Sequence, residues 1–344
     1  MFWRIERAKN FHPQRSVLPN YAGINSPVLW RSKRLYSNFL FTLYEKRIFH
    51  AQRLALGLSC VCQTQEHSML DATDRLFTQS YSVQEPLIVS SALPLDDAMR
   101  GGVLMLGNFD GFHRGHRELA RLAQSVPTRT CIGLMSCEPH PRAFFGVETE
   151  AFRLATKNTK SAMLGNKGID FVFEPTFDSS FARQTPEEFI TEVLCGALGV
   201  SHVVTGPDFR FGHRRSGDVR LLQEMSRRFG FGISVAESLK SGSQTISSTR
   251  IRNLIRDGQI NQALELLGDP WIIEVERTPN GKLRMHPSLC RPRAGCYKSS
   301  LQEPFGRKIS IDLDVDEDGY VSPKGPLPTV NRYLFQICGQ ASNR

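Results

Sequence analysis

No C-x-x-C pair occurs in this 344-residue chain, although it holds eight cysteines. Their scattered spacing excludes a zinc-ribbon type of site and gives no disulfide framework. They read as free or buried thiols of a reducing compartment. No apolar run approaches the roughly 20 residues that a membrane-spanning helix needs, so no membrane partner is expected. No Walker A string is present. Gly165-Asn166-Lys167-Gly168 and Gly306-Arg307-Lys308 come nearest, and both lack its spacing. No helix-turn-helix, zinc-finger or RNA-recognition pattern occurs. The net charge of +9 is therefore assigned to small anionic ligands rather than to nucleic acid. Acidic residues are scarce at the start. Residues 1–68 carry Arg4, Arg7, Lys9, Arg15, Arg31, Lys33, Arg34, Lys46, Arg47 and Arg53 against Glu6, Glu45 and Glu66. That composition reads as an organelle transit peptide, as a disordered arm, or as sequence upstream of a true start at Met69.

What is present is concentrated at Gly107-Asn108-Phe109-Asp110-Gly111-Phe112-His113-Arg114-Gly115-His116. The apolar run Val103-Leu104-Met105-Leu106 precedes it. Arg117 to Ala123 follows with helical spacing. Strand, glycine-rich turn and helix together aim backbone N–H groups and a helix N-terminus at one point, which suits a phosphate. His113 and His116, three apart, share a face of the first helical turn. Two imidazoles there can stabilise charge on a transferring phosphoryl group. Histidines at this spacing also occur as metal ligands or plain surface residues.

The string resembles the H-x-G-H signature of the nucleotidylyltransferases. In its longer form it resembles the FAD synthetase family, the FMN adenylyltransferase half of bacterial bifunctional riboflavin kinase/FMN adenylyltransferases. Four further blocks follow in the family's order. They are Glu138-Pro139-His140-Pro141; Phe177-Asp178-Ser179-Ser180-Phe181-Ala182 with Pro186-Glu187-Glu188-Phe189-Ile190; Gly206-Pro207-Asp208-Phe209-Arg210-Phe211-Gly212 with Arg215-Ser216-Gly217-Asp218; and Ile246-Ser247-Ser248-Thr249-Arg250-Ile251-Arg252. Cys137 stands where the family usually has Phe.

The resemblance implies transfer of the AMP moiety of ATP to FMN, giving FAD and pyrophosphate, with Mg2+ entering on ATP. Carried over position by position, it makes His113, His116 and Arg252 the catalytic set. Gly107, Asn108, Phe109 and Gly115 would shape the ATP pocket, and Asp110 would orient a histidine or a metal-bound water. Ser247, Ser248 and Thr249 would grip the ATP phosphates, although Ser247 and Thr249 also read as ordinary helix caps. Pro139, His140 and Pro141 would shape a flavin-side loop, with His140 alternatively a turn residue. Asp178, Asp208, Phe209 and Phe211 would line the flavin and adenine walls, with the phenylalanines alternatively core. No metal ligands are assigned, and the oligomeric state is open. Two rival functions are another phosphorylated acceptor and a non-catalytic nucleotide-binding relative.

The expected fold class is α/β. A Rossmann-like nucleotidylyltransferase domain with a parallel sheet (69–270) follows the basic extension (1–68). A short β-rich remnant of a riboflavin-kinase barrel (271–344) completes the chain. The family's kinase string G-R-x-L-G-F-P-T-A-N is absent, and only Pro292-Arg293-Ala294-Gly295-Cys296-Tyr297 is similar to a barrel strand. Riboflavin kinase activity is therefore not expected. Asp314-Val315-Asp316-Glu317-Asp318-Gly319 imitates a calcium loop, but Gly325 stands where the bidentate Glu is needed, so a solvated hairpin is expected. The expected location is the cytoplasm, or an organelle if 1–68 are a transit peptide.

Overall fold

Six short apolar strands form one parallel sheet. They are β1 (Leu87–Val89), β2 (Val103–Leu106), β3 (Ile132–Met135), β4 (Phe171–Phe173), β5 (His202–Thr205) and β6 (Gly232–Val235), in the spatial order β1-β4-β3-β2-β5-β6. The computed structural model describes residues 85–344, apart from 95, 128–130, 148–150, 303–307 and 342–344. The basic extension over 1–68 and the alternative start at Met69 lie outside the described residues.

The alternation of side chains along the strands divides the core. Val103, Met105, Ile132, Leu134 and Val172 pack on one face with Leu119, Ala123 and Leu164. Leu104, Leu106, Phe171, Phe173 and Val203 pack on the other with Ile190, Leu194 and Leu222. Helices therefore cover both faces, which is why the strands read as unbroken apolar runs.

The helices are α1 (Arg114–Gln124), α2 (Pro141–Phe144), α3 (Lys157–Leu164), α4 (Pro186–Glu188), α5 (Val219–Phe229), α6 (Ser248–Arg256) and α7 (Ile260–Leu267). Thr185 caps α4 as its sequence predicts, in a reciprocal capping box with Glu188. The spacing predicts one α-helix over 186–198. Instead the chain passes into a π-helix over Phe189–Ala197, closed by the Leu198 N–H to Val193 O bond. A two-stranded hairpin, β7 (Lys240–Ser241) and β8 (Gln244–Thr245), leads into α6. For α6 the side-chain cap is Ser247, whose Oγ accepts from Arg250 N; Ser248 lies inside the helix. Gly268 in the left-handed region ends α7.

The C-terminal β-rich region closes completely. β9 (Trp271–Arg277), β10 (Leu283–Met285), β11 (Gly295–Gln302), β12 (Lys308–Val315), β13 (Tyr320–Pro323) and β14 (Arg332–Gln340) form an antiparallel barrel in the order β10-β13-β12-β11-β14-β9. Its interior holds Ile273, Val275, Tyr297, Leu313 and Phe335. The acidic stretch before Gly319 is the β12–β13 turn, where Asp316 accepts from the backbone of Asp318 and Tyr320. Among the described residues no helix is long and apolar enough to cross a membrane.

Candidate active site

The sheet order reverses between β2 and β5, so the loops after those strands diverge and leave a crevice at their carboxyl ends. A cleft lies there. Its lining includes Gly107, His113, Gly115, His116, Asp208 and Phe209, all expected from the sequence. Glu237, Ser238, Leu239, Thr245 and Ile246 complete one wall. No local motif marked Glu237 or Ser238; only their position after β6 brings them to the crevice.

The loop from β2 to α1 is conformationally demanding. Phe109 and Phe112 adopt φ of 46° and 35°, a region that bulky side chains rarely occupy. Gly111 has φ 88°, and a Cβ there would lie 2.8 Å from the Leu154 side chain. Phe109 is fully buried, so it anchors the loop in the core. Gly115 is needed for a different reason, since a Cβ there would come within 3.1 Å of the His113 ring. Glycine lets that ring fold back over the first turn.

His113 and His116 consequently stack, with ring centroids 3.7 Å apart and planes 15° from parallel. The Phe109 ring backs His116 at 4.9 Å. Burial pushes the His113 imidazolium pKa down to about 4, partly countered by Asp110. Burial, reinforced by His113, holds His116 well below its ordinary value. Both rings are therefore neutral at pH 7, and each carries one N–H. Among the described residues the Nδ1 atoms of both lack a hydrogen-bond partner. No acidic residue occupies the first turn of α1, so the positive end of the helix dipole is unopposed.

Asp110 does not face this cleft. Its buried carboxylate accepts from Leu154 N (2.9 and 3.0 Å) and Ala155 N (3.1 Å), and pairs with Arg252 Nη2 at 3.0 Å. Arg252, expected on the phosphates, is buried with it and stands over the Phe152 ring at 5.4 Å. Its Nε has no partner among the described residues. Ser248 Oγ donates to the Asp110 carbonyl at 2.8 Å. Thr249 and Asn108 are exposed.

The flavin-side residues gather elsewhere, beyond β3 and β4. Glu138 and Thr176 form a parallel bridge, and Phe177 N donates to Glu138 O at 2.8 Å, which joins the segment leading into Pro139-His140-Pro141 to the one leading into Asp178. His140 is buried and caps α2, its Nδ1 accepting from Arg142 N. Burial, with Arg153 next, lowers its pKa to about 4. The exposed Asp178 accepts from Ser180 N and Phe181 N, so its carboxylate holds a turn. Phe209 reaches the cleft, but Phe211 is core, stacked behind Phe209 and against Phe189. Phe144 and Phe145, which no motif announced, are exposed and pack edge-on to Phe177.

Behind both regions runs a chain of ion pairs whose members are buried apart from the half-buried Glu138. Arg153 forks onto Glu138 (3.0 and 3.2 Å), and Lys160 sits between Ser136 Oγ (2.7 Å) and Glu174 (3.3 Å). Burial of charge demands such pairing.

His113 and His140, both buried and with pKa values lowered to about 4, make the fold acid-sensitive, and the half-buried His116 adds in the same direction. Below about 6.5 the unfolded chain binds protons that the folded rings refuse. Stability is complete above that pH and declines as pH falls toward about 4. Each ring contributes at most about 1.4 kcal/mol per pH unit. The melting temperature is expected to drop between pH 7 and pH 5. A flat melting profile over that interval would contradict the burial of these rings.

The model of the family described as FAD synthetase matches residues 96–250. An FAD synthetase of Listeria monocytogenes is 34% identical over 202 residues, covering 58% of this chain and 81% of that one. A bifunctional riboflavin kinase/FMN adenylyltransferase of Pseudomonas fluorescens is 34% identical over 238 residues, 67% of this chain and 75% of that one. Among solved structures, one described as a macrolide-efflux protein from Streptococcus pneumoniae aligns with a TM-score of 0.59 at 20% identity. It covers 75% of this chain and 92% of that chain. At that identity the likeness shows the fold alone.

Proposed function

The chain belongs to the FAD synthetase family, and on that premise we propose that it transfers the adenylyl group of MgATP to FMN, releasing pyrophosphate. The observation that carries this reading is the stacked, neutral His113–His116 pair at the head of α1, facing the cleft where the sheet order reverses.

An FMN phosphate oxygen attacks the α-phosphorus of ATP, a P–O bond forms, and the bond to the pyrophosphate oxygen breaks. No covalent intermediate on the protein is needed. The protein aligns the reactants in line and stabilises charge on the phosphate oxygens. The two imidazole N–H groups and the N-terminus of α1 are suited to donate to those oxygens. Magnesium enters as part of the nucleotide substrate. Among the described residues no His/Cys/Asp/Glu cluster forms a dedicated metal cage. Asp208 and Glu237 in the cleft wall fit a cation held chiefly by phosphates. The exposed Phe144 and Phe145, with Phe177 against them and Pro139-His140-Pro141 beside them, supply an aromatic surface suited to a flavin ring.

Incubation with FMN and MgATP, followed by chromatographic detection of FAD and enzymatic detection of pyrophosphate, tests the proposal. Both products should appear in equal amounts. Riboflavin with MgATP should give no FMN, because the kinase's phosphate-binding string is missing from the barrel sequence. FMN formation under those conditions would show that the barrel phosphorylates riboflavin by other residues.

A further inference from the structure

We infer that the barrel is a working part of the adenylyl-transfer site: through the strap formed by residues 152–156, Trp271 and Glu274 on β9 position the Asp110–Arg252 pair. The inference rests on the function proposed above.

The strap is sewn to the barrel along its length. Phe152 N and Arg153 N donate to Ser288 O at 3.0 and 2.8 Å, and Cys290 N donates to Arg153 O at 2.8 Å. The indole N–H of Trp271 donates to Leu154 O at 2.8 Å. The Glu274 carboxylate accepts from the Thr156 hydroxyl and from Asn158 Nδ2 (2.7 Å), and pairs with Arg332 Nε at 2.9 Å. Glu274 is 1% exposed. On β9 it alternates with Ile273 and Val275, which fill the barrel interior, so its side is the outer one. A carboxylate there is buried only because α3 and the strap cover it. An apolar residue would dock the two layers without the desolvation penalty. A carboxylate docks them in one register.

The same few residues hold the transferase loop. Leu154 N and Ala155 N, next to the groups gripped by Trp271 and Glu274, donate to Asp110. Asp110 in turn binds Arg252. A shift of the strap therefore shifts the carboxylate and the guanidinium together. A second tie runs to α1: Arg117 donates to Leu267 O at 3.1 Å and pairs with Asp269 at 2.6 Å, in the connection leading into β9. Both ends of the site-forming loop are thus referenced to the barrel's first strand.

The test is a set of variants in the full chain. Glu274→Gln keeps the shape, but its amide cannot accept both bonds and leaves Arg332 with only the Glu276 carboxylate, 3.4 Å from its Nη2. Trp271→Phe removes one N–H, keeps an apolar ring and serves should Glu274→Gln fail to fold. Each is expected to lower kcat for FAD formation by about tenfold, since small misplacements of catalytic groups are costly, with KM for FMN and ATP changing far less. The family resemblance makes Arg252 part of the catalytic set, and its guanidinium is the group taken to be positioned by the strap; in an Arg252→Lys background neither substitution should then lower kcat further. Merely structural damage would multiply with the Arg252→Lys loss instead. Unchanged kcat in both variants, or multiplicative losses, would overturn the inference while the unsubstituted chain still makes FAD. Absence of FAD from the unsubstituted chain would overturn the proposed function as well.

Discussion

Replacing His116 by alanine is expected to lower kcat for FAD formation by about 10²–10³, the loss typical of one donor aimed at transition-state charge. The ring contributes little to the fold by hydrogen bonding, since its Nδ1 has no partner among the described residues. Its surroundings are instead arranged for it. Phe109 supports one side, His113 stacks on the other, and Gly115 leaves the space that the stack occupies. Removing it takes a neutral N–H from the cleft while His113 and the helix terminus stay. The KM for FMN should change by less than about threefold, because the flavin-side loops lie beyond β3 and β4, and an interaction made only in the transition state appears in kcat. Turnover within about threefold of the unsubstituted chain would remove His116 from the mechanism.

Asp110→Ala is expected to destabilise the chain by about 3–5 kcal/mol, because it leaves the buried Arg252 guanidinium without its counter-charge. Leu154 N and Ala155 N lose their acceptor at the same time. The strained loop at Phe109 and Phe112 then loses the tie that fixes its far end. Asp110→Asn keeps one acceptor oxygen and the volume, so it should destabilise less than alanine does. Urea or thermal unfolding of the two variants separates the contributions. Equal stability of Asp110→Ala and the unsubstituted chain would show that the pair is not buried.

The strands and the H-x-G-H turn were legible because their causes are local. Apolar runs bounded by glycine mark β2, β5 and β6. Thr185 before Pro186 marks a helix start whose cap forms as expected; the helix read from Asp218 begins at Val219, with Asp218 as its cap. Even the edge strand near Leu87 follows from its short apolar run. The cleft was legible in part, since His113, Gly115, Asp208 and Phe209 sit in recognisable strings. What was not legible depends on partners far apart in the chain. Asp110 is 44 residues from Leu154 and 142 from Arg252. Glu274 meets Thr156 across 118 residues. Sequence spacing carries no trace of such contacts, so Asp110 read as a cleft residue when its carboxylate is turned toward the strap. Phe211 likewise shares a motif with Phe209 yet points into the core. Closure of the barrel was hidden for the same reason, because β9 completes it by pairing with β10 and with the distant β14.

The most direct measurement is the fate of label from ATP in the presence of FMN. With phosphorus-32 at the α position, label should appear in FAD, equimolar with pyrophosphate formed; with label at the γ position, it should appear only in pyrophosphate. Label from the α position entering a different phosphorylated acceptor, with FMN unconsumed, would contradict the account.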